Sequence, residues 1–178
     1  MENGSKSFPA ASILLEMVKD EYSKERERAV ALDNKASFFI TLIVAVVTIF
    51  VPIIPLSRIL GFYRTADCSC KCIVSIELFA IVIAFFLLVV AFRQFYNAYK
   101  IANYKRPDIK VVDDTRFLVQ PEEIVTRGMC EHYKEIVEFN VEIVADKCDK
   151  INSGVMYCGF GFAVLIISTI ALIITVGG

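Results

Sequence analysis

Residues 36–55, ASFFITLIVAVVTIFVPIIP, decide the fold class of this chain. Two further stretches are equally apolar: residues 73–92, IVSIELFAIVIAFFLLVVAF, and residues 155–176, VMYCGFGFAVLIISTIALIITV. About 20 residues at ~1.5 Å per residue cross the ~30 Å hydrocarbon core of a bilayer. A soluble helix has a polar face at a 3.6-residue period, whereas these stretches are apolar all round. The sequence predicts an all-α membrane protein with three transmembrane helices.

The composition agrees with a membrane protein. Of the 178 residues, 56% are hydrophobic and 22% are charged, and the mean hydropathy is +0.58. The charged residues lie almost entirely outside the three apolar stretches. A net charge of −1 argues against a bulk nucleic-acid partner. The first stretch follows 35 polar-rich residues and has no small-residue cleavage signal after it, which indicates a retained helix rather than a signal peptide.

The basic residues predict the orientation in the cell membrane. Lysine and arginine are more numerous before the first stretch and between the second and third than in residues 56–72. By the positive-inside rule, the N-terminus and residues 93–154 are cytoplasmic. Residues 56–72, expected to be a loop, and the C-terminus then face outward.

The polar segments are predicted to be helical extensions of the spans, which together form a cytoplasmic stalk. Residues 1–35 are expected to hold an amphipathic helix. Its KDEYSKERER run, residues 19–28, favours a solvated face, with nucleic-acid or headgroup binding as the alternative. Pro121 and two following glutamates predict the start of another helix, because proline and acidic residues suit a first turn. Apolar residues then recur at 3–4 spacing into the third span, which indicates one long helix.

The sequence gives little support for catalysis, so no enzymatic activity and no cofactor are predicted. No nucleophile elbow, Walker loop, zinc-protease motif or dinucleotide fingerprint occurs. The single histidine, His132, lies in a charged helical segment without an identifiable partner. Asp113 and Asp114 favour a solvated turn over a metal site.

Cys68, Cys70 and Cys72 form a C-x-C-x-C cluster in the predicted outer loop. In an oxidising space two of them could form a disulfide, or one could link a neighbouring subunit. A reduced trio is the alternative, and metal chelation lacks a fourth ligand. Three other cysteines are expected to be small packing residues. They are Cys130, Cys148 and Cys158.

Two features of the spans carry information. Glu77 lies within the second apolar stretch, where a carboxylate is costly and indicates a functional position, unless the boundary lies one turn further in. Small residues at the start of the third span predict close helix packing and favour a homo-oligomer. They are Gly154, Cys158, Gly159 and Gly161.

Two blocks of the chain carry a family resemblance. Residues 25–49, ERERAVALDNKASFFITLIVAVVTI, take a D-x-K-A motif at Asp33, Lys35 and Ala36 directly into the first span. Residues 133–157, YKEIVEFNVEIVADKCDKINSGVMY, place polar residues at near-heptad spacing before the third span. These blocks resemble the small transmembrane effectors of bacterial antiphage nucleotide signalling, namely Pycsar transmembrane effectors and related CBASS-type or SLATT-type modules.

The resemblance implies an effector that senses a cyclic nucleotide with its cytoplasmic helices and disrupts the membrane. The ligand would meet cations near the exit of the second span, although these also fit ordinary membrane anchoring. Those cations are Arg93, Lys100, Lys105 and Arg106. Lys35 would extend to the lipid headgroups beside Asp33. The stalk helices would be kept in register by polar side chains. These are Asn140, Lys147 and Asn152.

Two other function classes stay open. A membrane scaffold or accessory subunit would use the stalk to dock a soluble protein. A small ion-conducting oligomer would use Glu77.

Overall fold

The computed structural model describes residues 10–65, 67–100, 104–107 and 120–177. These ranges contain α-helices and connecting segments, and no strand. The helices are α1 (Ala11–Ile53), α2 (Leu56–Thr65), α3 (Cys68–Lys100) and α4 (Glu122–Gly177). The predicted all-α fold class is confirmed.

Helices α1, α3 and α4 are each long and apolar enough to cross a membrane. They contain 43, 33 and 56 residues, or about 65, 50 and 84 Å at ~1.5 Å per residue. Each therefore exceeds the ~30 Å hydrocarbon core. Helix α1 continues without a break through the predicted boundary at residue 35, and α4 does the same at residue 154. The chain has the features of a multi-pass membrane protein.

Prolines mark the helix ends. Pro52 lies in the last turn of α1, and the helix ends at Ile53. The carbonyl of Pro121 accepts hydrogen bonds from the backbone N–H groups of Ile124 and Val125, at 3.0 and 3.3 Å. The start of α4 at Glu122, directly after Pro121, is as predicted.

The chain divides into two compact units. We call residues 1–32 and 101–147 the polar unit and residues 33–100 and 148–178 the apolar unit. The first combines the N-terminal part of α1 with the N-terminal half of α4. The second combines the remainder of those helices with α2 and α3.

Each long helix buries one narrow stripe, which we call its seam. The spacing of seam residues alternates between three and four, the 3.5-residue mean that is typical of left-handed coiled coils. The α3 seam is Val74, Glu77, Ile81, Ala84, Leu88, Ala91, Phe95 and Ala98. The α4 seam in the apolar unit is Ile151, Gly154, Cys158, Gly161, Leu165, Ser168, Leu172 and Thr175.

Close approach of α3 and α4 depends on two seam glycines. A Cβ at Gly154 would lie 2.8 Å from the ring of Phe95, and a Cβ at Gly161 would lie 3.0 Å from Leu88. Phe95 also stacks on Phe39 of α1, with ring centroids 4.9 Å apart. The predicted small-residue surface is therefore present at these two glycines. Gly159 does not belong to it, since nothing lies within 4 Å of its Cβ position.

Large apolar side chains cover the outside of the apolar unit. Phe79, Phe86 and Ile174 are each between 66 and 69% exposed. Such a surface suits contact with lipid hydrocarbon rather than water.

The segment expected to be an outer loop, residues 56–72, is largely helical. Helix α2 occupies Leu56–Thr65, and α3 already begins at Cys68. The reason is visible in the sequence, because Leu56, Ile59, Leu60 and Tyr63 follow the i, i+3, i+4, i+7 pattern of an amphipathic helix.

Candidate functional site

Three polar or charged side chains lie on the seams of the polar unit. Glu25 of α1 is 2% exposed, and Asn140 and Lys147 of α4 are each 1% exposed. Burial of such groups is unfavourable unless hydrogen bonds or opposite charges compensate it. Their positions therefore mark the part of the polar unit where a functional role is most plausible on physical grounds.

Asn140 holds the connector between α3 and α4, at its described residues 104–107. Its side-chain Oδ1 accepts a hydrogen bond from the backbone N–H of Lys105 at 3.1 Å. Its Nδ2 donates to the carbonyl oxygen of the same residue at 3.2 Å. One amide thus satisfies both backbone groups of Lys105, as a neighbouring strand would. The sequence predicts Asn140 as a register-setting residue between helices, whereas the structure shows it bonded to the connector.

Aromatic rings accompany both lysines at this place. The ammonium of Lys105 lies 4.2 Å from the centroid of the Phe139 ring. The ammonium of Lys147 lies 5.5 Å from the centroid of the Tyr104 ring. Both distances are within cation–π range. We call Tyr104, Lys105, Phe139, Asn140 and Lys147 the connector cluster.

Glu25 is a site residue that the sequence reasoning missed. The KDEYSKERER run was expected to be solvated, yet Glu25 is buried and pairs with Arg28 one turn later. The other oxygen, Oε2, is buried and has no hydrogen-bond partner. One turn earlier, the Tyr22 ring meets Tyr133 of α4 edge-on, with centroids 5.9 Å apart. The heptad spacing of Tyr22, Glu25 and Ala29 is the signal that could have identified this position.

The four predicted ligand-binding cations are all exposed. Arg93 and Lys100 belong to α3 in the apolar unit, whereas Lys105 and Arg106 belong to the connector in the polar unit. Within the polar unit, the structure brings Lys105 to one predicted stalk residue, Asn140, and places another, Lys147, against the ring of the neighbouring Tyr104.

The remaining stalk and membrane-boundary residues differ in exposure. Asn152 is exposed, and its amide contacts Cys148 on its own helix, so it lies off the α4 seam. Lys35 is exposed and Asp33 half-buried. Ala36, the last residue of the D-x-K-A motif, is completely buried at the α1 seam.

Glu77 is half-buried at the α3 seam. The hydroxyl of Thr175, in the last turns of α4, donates a hydrogen bond to Glu77 Oε1 at 3.1 Å. The second carboxyl oxygen is buried without a hydrogen-bond partner. The Glu77 carboxyl group therefore faces α4 of the apolar unit rather than pointing entirely away from the protein.

All six cysteines are free in this structure. Cys68, Cys70 and Cys72 are exposed in the first turns of α3. At about 100° per residue, Cys68 and Cys72 share one side of the helix and Cys70 lies on the other. The three thiols therefore do not converge on one point. Cys158 is buried, which agrees with a packing role.

The remaining sequence candidates are the single histidine and an aspartate pair. His132 is exposed on α4. Asp113 and Asp114 lie outside the described residues. Among the residues that are described, no three His, Cys, Asp or Glu side chains are grouped to hold a metal ion.

Comparison with known proteins gives no relative. No family model, curated protein or solved structure matches the chain. The exposed Lys105 beside the Phe139 ring, on a connector fixed by a buried amide, suits a ligand with a phosphate and a planar ring.

Proposed function

We propose that this chain is an integral membrane effector that senses a cyclic nucleotide in its polar unit and disrupts membrane integrity in antiphage defence. The supporting observation is the connector cluster, in which Asn140 and Lys105 join the connector to α4. The resemblance of residues 25–49 and 133–157 to nucleotide-signalled effectors supplies the ligand class. No catalytic reaction is part of this function.

The ligand would bind the exposed cations of the connector. The ammonium of Lys105 and the guanidinium of Arg106 suit a phosphate, and Phe139 offers an aromatic face for a base. Arg93 and Lys100, on α3 in the apolar unit, suit anchoring at the membrane surface. We place the polar unit and the N-terminus in the cytoplasm and the C-terminus outside, as the basic residues predict.

Coupling to the membrane would proceed through α4. This helix passes from the polar unit into the apolar unit without a break. A ligand shifts a conformational equilibrium only if it binds the two states with different affinity. A ligand bound at Lys105 would have different affinities for the two states because it would strengthen or release the hydrogen bonds between Asn140 and the Lys105 backbone. The resulting change in helix packing would alter assembly with further copies of the chain and so open the membrane.

A thermal-unfolding screen against cyclic mono-, di- and trinucleotides tests the sensing step. A nucleotide at a hundredfold excess over its Kd raises the free energy of unfolding by ~2.7 kcal/mol. We expect one nucleotide to do so, and expect Lys105→Gln with Arg106→Gln to abolish the effect. Lys134→Gln is the control, because Lys134 is exposed, pairs with Glu138 one turn away and does not belong to the connector cluster. A screen in which no nucleotide changes stability would contradict the sensing function.

A protein-docking scaffold is the second candidate, and one observation favours it. Met17, Val18 and Val137 line a groove of 350 Å³ in the polar unit, with Glu21, Lys134 and Glu138 around it. Met17 is 63% exposed. An apolar floor with a charged rim is typical of a helix-binding groove. Overexpression distinguishes the two candidates. Toxicity that appears only with a small-molecule trigger would favour the effector, whereas toxicity that does not depend on a trigger would not favour it.

The Glu77–Thr175 contact favours a third candidate, an ion-conducting oligomer. A carboxyl group inside a membrane bundle is typical of ion pathways. Loss of ion flux in Glu77→Gln, with flux intact in the exposed control Glu122→Gln, would support this function. Unchanged flux in Glu77→Gln would leave the carboxyl as a packing contact with α4.

A further inference from the structure

A crevice lies where α1 and α4 both end in the apolar unit. It has a volume of 340 Å³. Its lining residues are Pro52, Ile53, Pro55, Arg58, Ile173 and Val176. Arg58 is the only charged residue among them. This volume lies at the lower end of the ~300–1,000 Å³ range of ligand pockets, and it accommodates part of a hydrocarbon chain.

Helix α2, which contributes Arg58, has the character of an interfacial helix. Ile59 is buried, whereas Leu56 and Leu60 on the same apolar face are 65 and 67% exposed. The helix contains two arginines and no acidic residue. Exposed leucines beside arginines are typical of helices that lie in the headgroup region of a membrane.

Helix α2 is fixed at both ends. The backbone N–H of Ile59 donates to the carbonyl of Pro55 at 3.0 Å, which begins the helix directly after α1. Near its other end, the hydroxyl of Tyr63 shares a hydrogen bond with the hydroxyl of Ser75 on α3. The Arg58 backbone is therefore held beside the crevice.

We propose that this crevice binds an anionic phospholipid. One acyl chain lies against Ile53, Ile173 and Val176, and the phosphate accepts hydrogen bonds from the guanidinium of Arg58. The planar guanidinium matches phosphate geometry. Within the described part of the chain, Arg58 forms no ion pair. Helices α1 and α4, each long and apolar enough to span a bilayer, end beside the crevice at Ile53 and Gly177, which suits a position at headgroup level.

Lipid retention tests the site. The full chain is reconstituted in phosphatidylcholine membranes that contain phosphatidylglycerol, released into mild detergent and analysed by native mass spectrometry. We expect retained phosphatidylglycerol on the unaltered protein. We expect about fivefold less on Arg58→Gln, since one basic side chain at an anionic surface contributes ~1 kcal/mol.

Arg64→Gln is the matched control, because it removes the same charge from the same helix outside the crevice. Equal losses in Arg58→Gln and Arg64→Gln would show general charge attraction and overturn the site. Val176→Trp, which fills the crevice but keeps every charge, is expected to reduce retention as well. Unchanged retention in this variant would overturn the acyl-chain contact. Excess inorganic phosphate should displace nothing, and displacement by phosphate would overturn the lipid assignment.

Discussion

The polar and apolar units use the same seam spacing with different side chains. In the apolar unit, glycines let helices approach closely, as where Gly154 meets Phe95 and Gly161 meets Leu88. In the polar unit, the seams carry Glu25, Asn140 and Lys147, each at most 2% exposed, whereas the carboxylate on the α3 seam of the apolar unit, Glu77, is only half-buried.

The two solvents explain the difference. Lipid tails are as apolar as leucine, so helices in a membrane associate mainly through close packing. In water, apolar burial drives association, so a polar unit tolerates a few unfavourable buried polar groups. Such groups confer specific pairing or responsiveness rather than stability. We therefore expect the more rigid contacts in the apolar unit and the more adjustable ones in the polar unit.

The largest expected effect is overpacking in the apolar unit. Gly154→Val places methyl groups where even a Cβ lies 2.8 Å from Phe95. Phe95 cannot move away easily, because it stacks on Phe39. We expect a loss of about 3 kcal/mol in the free energy of unfolding, measured by thermal unfolding in detergent. Gly159→Val should lose far less, because its Cβ position is open. Similar losses in both variants would contradict close packing at Gly154.

The second-largest effect is expected in the polar unit, where hydrogen bonds rather than close packing are removed. Asn140→Leu removes both hydrogen bonds to the Lys105 backbone. At about 1 kcal/mol for each bond, we expect a loss of roughly 2 kcal/mol. Hydrogen–deuterium exchange should show faster exchange at the Lys105 amide. Asn152→Leu is the control, because Asn152 is exposed. Unchanged protection of the Lys105 amide in Asn140→Leu would show that the connector is held by something else.

A gain in stability is expected at Glu25. Its Oε2 is buried without a partner, and its pairing residue Arg28 is largely exposed. Replacing an incompletely paired buried charge by an apolar residue often stabilises a protein. Glu25→Leu should therefore raise the free energy of unfolding by about 1 kcal/mol, whereas Glu27→Leu, at an exposed position, should not. A clear destabilisation by Glu25→Leu would mean that the carboxylate stabilises the polar unit.

The smallest effect concerns Lys24 on the solvated side of α1. A hydrogen bond from its ammonium to Asp20, at 2.7 Å, and the charges of Asp20 and Glu21 raise the pKa of Lys24 above 10.5. A raised lysine pKa contributes stability below the unfolded-state value and loses it as pH rises through the folded-state value, here above 10.5. Asp20→Asn should lower the pKa of Lys24, observed by NMR titration, and should reduce the free energy of unfolding near neutral pH only slightly, because the pair is exposed. An unchanged pKa would contradict the pairing.

The sequence predicted the helices well because their signals are long. The all-round apolar stretches fix three spanning helices, and Pro121 with two glutamates fixes the start of α4. Gly154 and Gly161 were recognisable as packing residues by their size. Helix α2 was not predicted, although its i, i+3, i+4, i+7 pattern was present, because a loop was expected between two closely spaced spans.

The candidate site was only partly predictable. Lys105, Asn140 and Lys147 were each selected, but their contacts depend on where the connector returns along α4, which no local pattern encodes. Glu25 was missed because it lies in a run of charged residues. The composition of such a run indicates that the segment is polar overall, but only the 3–4 spacing of the seam shows which single side chain is buried. Asn152 looked equivalent to Asn140, yet it lies one position beyond the seam residue Ile151.

Nucleotide-dependent leakage of dye-loaded liposomes that contain the reconstituted protein tests the central claim most directly. The account predicts that one cyclic nucleotide causes leakage, that Lys105→Gln with Arg106→Gln abolishes it, and that Lys134→Gln retains it. Liposomes that stay sealed with every cyclic nucleotide, or that leak equally in all three proteins, would contradict a nucleotide-gated effector.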